Sequence, residues 1–156
     1  MSAEPKPGCE SPESRQFDFW VGTWRVTEKG ELAGHNNIQK IDSGCALLES
    51  WTGAEGSTGH SLNVYDARRK KWHQTWVDAR GGLLMLEGEF RNGSMVLEGA
   101  PRPSKDGKPQ IDRIAWTALP NGAVRQHWEV STDGGAHWTT AFDGLYTREA
   151  ADARTQ

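Results

Sequence analysis

Four short stretches of the chain alternate an aromatic side chain with a carboxylate or an amide. They are Glu49-Ser50-Trp51, Asn63-Val64-Tyr65, Trp72-His73-Gln74-Thr75-Trp76 and Gln126-His127-Trp128. Successive residues of a β-strand point to opposite faces, so the polar and aromatic members of each stretch share one face. An indole takes a large apolar area out of water but keeps an N–H that needs an acceptor, and an amide orients polar atoms. Such pairs suit the wall of a small-molecule cavity. On this reading Trp51, Trp76 and Trp128 supply apolar wall, and Asn63, Tyr65, Gln74 and Gln126 orient polar groups. Glu49 is the acidic partner of the set. A carboxylate between apolar walls has its pKa raised and can move protons, which makes Glu49 the first catalytic candidate and the strand-central His73 the second. A plainer reading stands beside this one: the same groups hydrogen-bond one another and specify a core.

The elements that must hold these residues are strands. After Gly22 the chain reads as ten alternating runs separated by turn residues. They cover 23–28, 35–41, 46–52, 60–65, 71–77, 83–90, 94–98, 110–118, 123–131 and 137–147. Asn92-Gly93, Asn121-Gly122 and Asp133-Gly134 tolerate the positive φ that tight hairpins demand. Consecutive hairpins without a helical crossover predict a ten-stranded antiparallel up-and-down barrel, whose closure removes the exposed edges. A two-sheet sandwich of the same strands is the alternative, and it would fill its centre with side chains. Ser11-Pro12-Glu13 offers a helix start, so a short N-terminal helix is expected over about 12–20, with its apolar end, Phe17, Phe19 and Trp20, closing one end of the barrel. The expected organisation is a disordered lead-in over 1–10, one domain over 11–149 and a tail over 150–156.

Composition removes several function classes. The 18 basic and 21 acidic residues give a net charge of −3, without the concentrated basic face that nucleic acid or an anionic membrane requires. No apolar run is long enough to span a bilayer as a helix, and residues 1–16 lack the apolar core of a signal peptide, so a soluble chain is expected. Phosphate loops, nucleophile elbows and dinucleotide fingerprints have no counterpart here. His35, His60 and His137 fall at strand starts, His73 and His127 fall on the expected outer face, and no spacing suits zinc, so no metal site is expected. Haem needs one axial histidine in an apolar slot, and a barrel resembling the nitrobindins would offer such a slot if the faces were reversed.

Gly22-Thr23-Trp24, placed after a helix and before the meander, is similar to the opening of lipocalin-type barrels. That resemblance implies that Trp24 closes the barrel floor against a basic side chain, for which Arg148 is the candidate. The longer stretch Phe17-Asp18-Phe19-Trp20-Val21-Gly22-Thr23-Trp24 resembles a family of small bacterial calycin-like proteins of unknown function. The resemblance continues through Glu49-Ser50-Trp51, 61–66, 72–78, 125–131 and 138–144, and covers nearly everything after Glu10. It implies a barrel with an interior ligand and brings no established reaction with it. Calycin-like barrels also host lyase and isomerase chemistry, so the rival to a binding protein is an enzyme using Glu49 or His73.

Cys9 and Cys45 permit one disulfide or two free thiols. A disulfide favours an exported, periplasmic-type mature protein over a cytoplasmic one. A third reading is an interaction domain that self-associates, as a homodimer, through an aromatic patch of Trp72, Trp116 and Trp138.

Overall fold

A computed structural model describes residues 9–149. Ten antiparallel strands close into a barrel. They are β1 (Gly22–Glu28), β2 (Glu31–Ile41), β3 (Ala46–Gly53), β4 (Thr58–Asp66), β5 (Lys71–Asp78), β6 (Leu83–Arg91), β7 (Ser94–Glu98), β9 (Pro109–Ala118), β10 (Val124–Ser131) and β11 (Thr139–Arg148). Each pairs with its neighbour in sequence, β7 pairs with β9, and β11 pairs with β1, so no long edge is left. A two-residue strand, β8 (Arg102–Pro103), adds to the outer end of β9 and lies in the loop that the sequence left unassigned.

All ten expected runs are strands, and the differences are at their ends. β2 begins at Glu31, four residues before the expected start, because Lys29-Gly30 takes positive φ at both positions (53° and 82°) and turns the chain immediately after β1. β11 begins at Thr139 because 131–137 is tied into a turn. There Asp133 accepts the backbone N–H and the imidazole N–H of His137. The expected Asn92-Gly93 hairpin is present, with φ of 52° and 82°. The proposed lead-in over 1–10 falls outside the described residues except for Cys9 and Glu10, and the tail over 150–156 falls outside them entirely.

The N-terminal helix is present as two 3-10 turns, Pro12–Arg15 and Asp18–Trp20. Three residues per turn put positions i and i+3 on one side, which selects Phe17 and Trp20, joined by the Trp20 N–H to Phe17 C=O bond, as the buried pair. Both are fully buried, whereas Phe19 points aside and packs on Phe90. Phe17 and Trp20 form the buried heart of the stopper, and Phe19 packs partly buried beside them. Phe17 stacks on Trp20 at 4.8 Å and meets Trp72 and Trp116 edge-on at 5.6 and 5.2 Å. A disulfide from Cys9 to Cys45, in the β2–β3 turn, fastens the segment that carries this plug.

Trp24 donates its indole N–H to Trp20 C=O at 2.8 Å, and the Arg148 guanidinium lies over its ring at 4.2 Å, the partnership that the lipocalin-type opening implied. The expected aromatic surface patch is absent. Trp72 and Trp116 are buried in the core, and Trp138 lies under the Arg113 guanidinium. They point inward because each alternates with inward neighbours, Gln74 and Ile114, on its own strand. The exposed large apolar side chains on β4 to β6 are instead Leu62, Val64, Val77, Leu83 and Met85.

Candidate functional site

At the end of the barrel opposite the plug, the strands enclose a cavity of about 310 Å³. Its apolar wall is Trp51 (β3), Trp76 (β5), Leu84 (β6), Trp128 (β10), Ala141 and Phe142 (β11), and Trp116 and Ile114 (β9). Its polar lining is Glu49, Gln74, Gln126, Tyr146 and, at the rim, Asp78.

What keeps this end hollow is a set of inward glycines. A Cβ on Gly59 would lie 2.2 Å from the Trp76 indole, one on Gly34 2.7 Å from Trp51, and one on Gly144 2.5 Å from Phe142. Trp76 and Trp51 therefore lie across the neighbouring strands β4 and β2, and Phe142 along its own strand, at places where no side chain stands, so the rings cover the wall and do not fill the centre. Two of the indoles are further fixed by carboxylates. Trp76 donates to Asp78 Oδ2 at 3.2 Å, and Trp128 donates to Asp112 Oδ2 at 2.9 Å. Asp112 is fully buried and is gripped by Arg102 through two N–H donors at 2.8 and 3.1 Å, so the β8 loop is tied to the cavity rim. Asp78 accepts the backbone N–H groups of Arg80 and Gly82, which hold its carboxyl below the usual carboxylate range.

Between cavity and plug runs a buried polar belt. Register creates it: Ser61 lies opposite Glu49, and Asn63 opposite Gln74. Ser61 donates to Glu49 Oε1 at 2.6 Å and Asn36 donates to Oε2 at 2.8 Å. Asn36 also reaches the Tyr146 hydroxyl at 2.9 Å, and that hydroxyl donates to Gln126 Oε1 at 2.5 Å. On the other side Asn63 donates to Ser61, and Gln74 donates to Asn63 Oδ1 at 2.8 Å. Seven side chains from β2, β3, β4, β5, β10 and β11 form one chain of hydrogen bonds with Glu49 near its middle. Glu49 is 5% exposed, and burial pushes its carboxyl above the ordinary value of 4.5, opposed by the donors Ser61 and Asn36. Burial likewise raises the Tyr146 phenol, helped by the negative charge of Glu49. Trp116, which also lines the cavity, is 1% exposed, and its indole N–H has no partner among the described residues. An unmet buried donor costs roughly 1–3 kcal/mol.

Of the residues singled out in the sequence, Glu49, Trp51, Gln74, Trp76, Gln126 and Trp128 border this one cavity. Asn63 is fully buried in the belt behind it, and Tyr65 packs on Trp72 toward the plug, so neither lines it. His73 is on the outer wall, bonded to Glu87 at 2.9 Å and Thr75 at 2.7 Å, away from any site it was a candidate for. Glu49 takes no cationic partner among the described residues; Arg113 pairs with Glu129, and Arg125 with Asp143. The sequence reading passed over Phe142, Tyr146 and Asn36, and it placed Trp116 in a surface patch. Trp116, Phe142 and Tyr146 carry the same alternation signal on β9 and β11 as the chosen residues do on β5. All five histidines are among the described residues and none borders the cavity, so the residues present do not fit an axial haem ligand. Nor do His, Cys, Asp and Glu side chains cluster in a way that would hold a metal ion among the described residues. No family model matches the chain, and no curated protein matches it.

Proposed function

We propose that the chain is a calycin-like barrel that binds a small aromatic or amphipathic molecule in the cavity opposite the plug. The observation that carries this reading is the hollow itself: Trp51, Trp76 and Phe142 are laid onto glycines, so aromatic surface lines about 310 Å³ of open space above a hydrogen-bonded polar base. Sites of this kind bind by apolar burial and select by a few placed polar groups, here Glu49, Gln74 and Gln126. The Cys9–Cys45 disulfide supports an oxidising, exported setting over a cytoplasmic one. The test is a tryptophan-fluorescence titration against small aromatic alcohols, amines and acids, with Trp128→Ala as the partner protein. Saturable quenching that weakens at least tenfold in Trp128→Ala supports binding at this wall. Linear, unsaturable quenching across the panel sinks it.

One observation favours a second reading, an enzyme of lyase or isomerase type. Glu49 reaches the cavity and its carboxyl is biased toward the protonated form, as a general acid requires. Turnover lost in Glu49→Gln while binding is retained would select it over a carrier.

A further inference from the structure

We infer that the guest of this cavity is an organic cation, an amine or quaternary ammonium group carried on an apolar body. The inference rests on the binding reading above and specifies its chemistry.

The charge of the lining comes first. The described residues that border the cavity include two carboxylates, Glu49 and Asp78, and no lysine, arginine or histidine. Glu49 is held by neutral donors only, Ser61 and Asn36. Each of its oxygens accepts one hydrogen bond from these partners and keeps a lone pair for a guest. Arg80 stands beside Asp78 at the outer rim and Arg102 is committed to Asp112 behind Trp128, and neither borders the cavity itself. An anionic guest would bring a further negative charge beside Asp78 into a lining that holds no basic side chain, and that repulsion disfavours it. A cationic guest meets the opposite situation.

The walls make the same choice independently. Six aromatic side chains surround the space: Trp51, Trp76, Trp116, Trp128, Phe142 and Tyr146. Aromatic rings attract cations through their quadrupole, tryptophan most strongly, and several rings with a carboxylate form the cage that recognises quaternary ammonium groups. A merely greasy guest would be served as well by leucine and isoleucine, and of these the lining holds only Leu84 and Ile114. The unpartnered N–H of the buried Trp116 on the same wall would take an acceptor atom on the guest's body.

The arrangement also sets a pH response. The titratable groups facing Glu49 from the elements around it reduce to Tyr146 on β11; its other neighbours, Asn36 on β2, Ser61 on β4 and Gln74 on β5, are neutral. Asp78 at the rim is held ionised by backbone donors. A cation favours ionised Glu49, so its affinity rises with pH as Glu49 loses its proton, and binding below that point releases a proton to solution.

The probes are benzyltrimethylammonium, benzyl alcohol and benzoate, titrated calorimetrically into the full chain at pH 5 and pH 8, in two buffers of different ionisation enthalpy. The expected order is benzyltrimethylammonium tightest by at least about tenfold, benzoate weakest, with the cation alone gaining affinity at pH 8 and releasing protons at pH 5. Glu49→Gln should abolish the advantage of the cation over benzyl alcohol, together with its pH response. Asp78→Asn, at the rim, should lower the advantage by a smaller factor and serves as the second variant should Glu49→Gln fold poorly. Benzyl alcohol or benzoate binding as tightly as the cation overturns the inference and leaves the binding site standing. Failure of all three to bind overturns both.

Discussion

The two ends of this barrel use the same amino acid for opposite purposes. At the plugged end Trp20, Trp72 and Trp116 meet Phe17 ring to ring, at centroid distances of 4.8 to 5.6 Å, and the space is full. At the open end Trp51, Trp76 and Trp128 lie against glycines and carboxylates, Trp51 meets Phe142 edge-on only at the longer distance of 6.4 Å, and the rings line a cavity. Whether an inward indole builds core or cavity is therefore decided by what stands beside it. Two neighbouring aromatics interlock and exclude a guest, whereas a glycine lets the ring fold back against the wall. The buried belt from Gln126 to Gln74 separates the two regimes. It is costly to bury and is worth that cost only if every member is satisfied, a condition most of its groups meet.

The sharpest way to break the contrast is to truncate one ring at each end. Trp20→Ala removes a fully buried side chain from the plug and should cost about 3–5 kcal/mol in urea unfolding. Trp128→Ala removes a partly exposed ring from the cavity wall, and should cost less than about 2 kcal/mol while abolishing ligand binding. Equal losses of stability at the two positions would mean that the open end is core as well.

The disulfide belongs to the plugged end only. Cys9 and Cys45 are 36 residues apart in sequence, a loop whose closure contributes roughly 2–4 kcal/mol. Replacing both by serine should lower stability by that amount and loosen the plug, seen as reduced near-ultraviolet dichroism from its stacked rings. Retained binding in the same variant would show that the cavity does not depend on the clasp, and lost binding would show that the ends are coupled.

Alternation explains why so much of this could be read from the chain, and also where reading stopped. The period of two assigned faces correctly in Trp72-x-Gln74-x-Trp76 and Gln126-x-Trp128, and glycine-containing turns such as Asn92-Gly93 marked the hairpins. A period of two carries no information about height along the barrel, however. Tyr65 and Trp76 both face inward, yet one supports the plug and the other lines the cavity, because register with β4 and β5 sets them at different levels. Trp116 shares its face with Ile114 and was legible as inward, but the polar surroundings of β9 hid it. Asp112 reads as a surface carboxylate because its partners, Arg102 and Trp128, reach it only through the folded sheet. That Phe17 goes deeper than Phe19 depends on its contacts with Trp72 and Trp116, which lie far away in sequence.

The glycines offer a finer test. Gly59→Ala would set a methyl group 2.2 Å from the Trp76 ring, so the indole must swing off the wall into the lumen. The expected cost is about 1–3 kcal/mol, the usual penalty of overpacking, together with loss of binding, because the displaced ring occupies the guest's place. This substitution should turn the open end into a copy of the plugged one, recognisable in a structure by Trp76 contacting the opposite wall. Unchanged binding would mean that the ring has another place to go and that the glycine does not hold the cavity open.

The smallest effect concerns Glu49 at the boundary between the ends, and its sign follows from linkage. Burial raises its carboxyl above 4.5, so between 4.5 and the raised value the folded chain binds more protons than the unfolded one. Glu49 then costs nothing below 4.5, and stability falls as pH rises through the folded value, by about 1.4 kcal/mol for each unit of the rise. Glu87 on the outer wall behaves in the reverse sense. Arg69 and His73 depress it to about 2, so its contribution is present above 4.5 and is lost on acidification, and its partial exposure keeps that contribution below about 1 kcal/mol. Urea midpoints between pH 4 and pH 8 should thus fall with pH more steeply in the native chain than in Glu49→Gln, and the variant should gain on the native chain at the alkaline end. A Glu49→Gln curve parallel to the native one would mean that the belt carries an ionised Glu49 without penalty. The polar layer would then belong to the satisfied core of the plugged end, and the responsive base of the cavity would have to lie elsewhere.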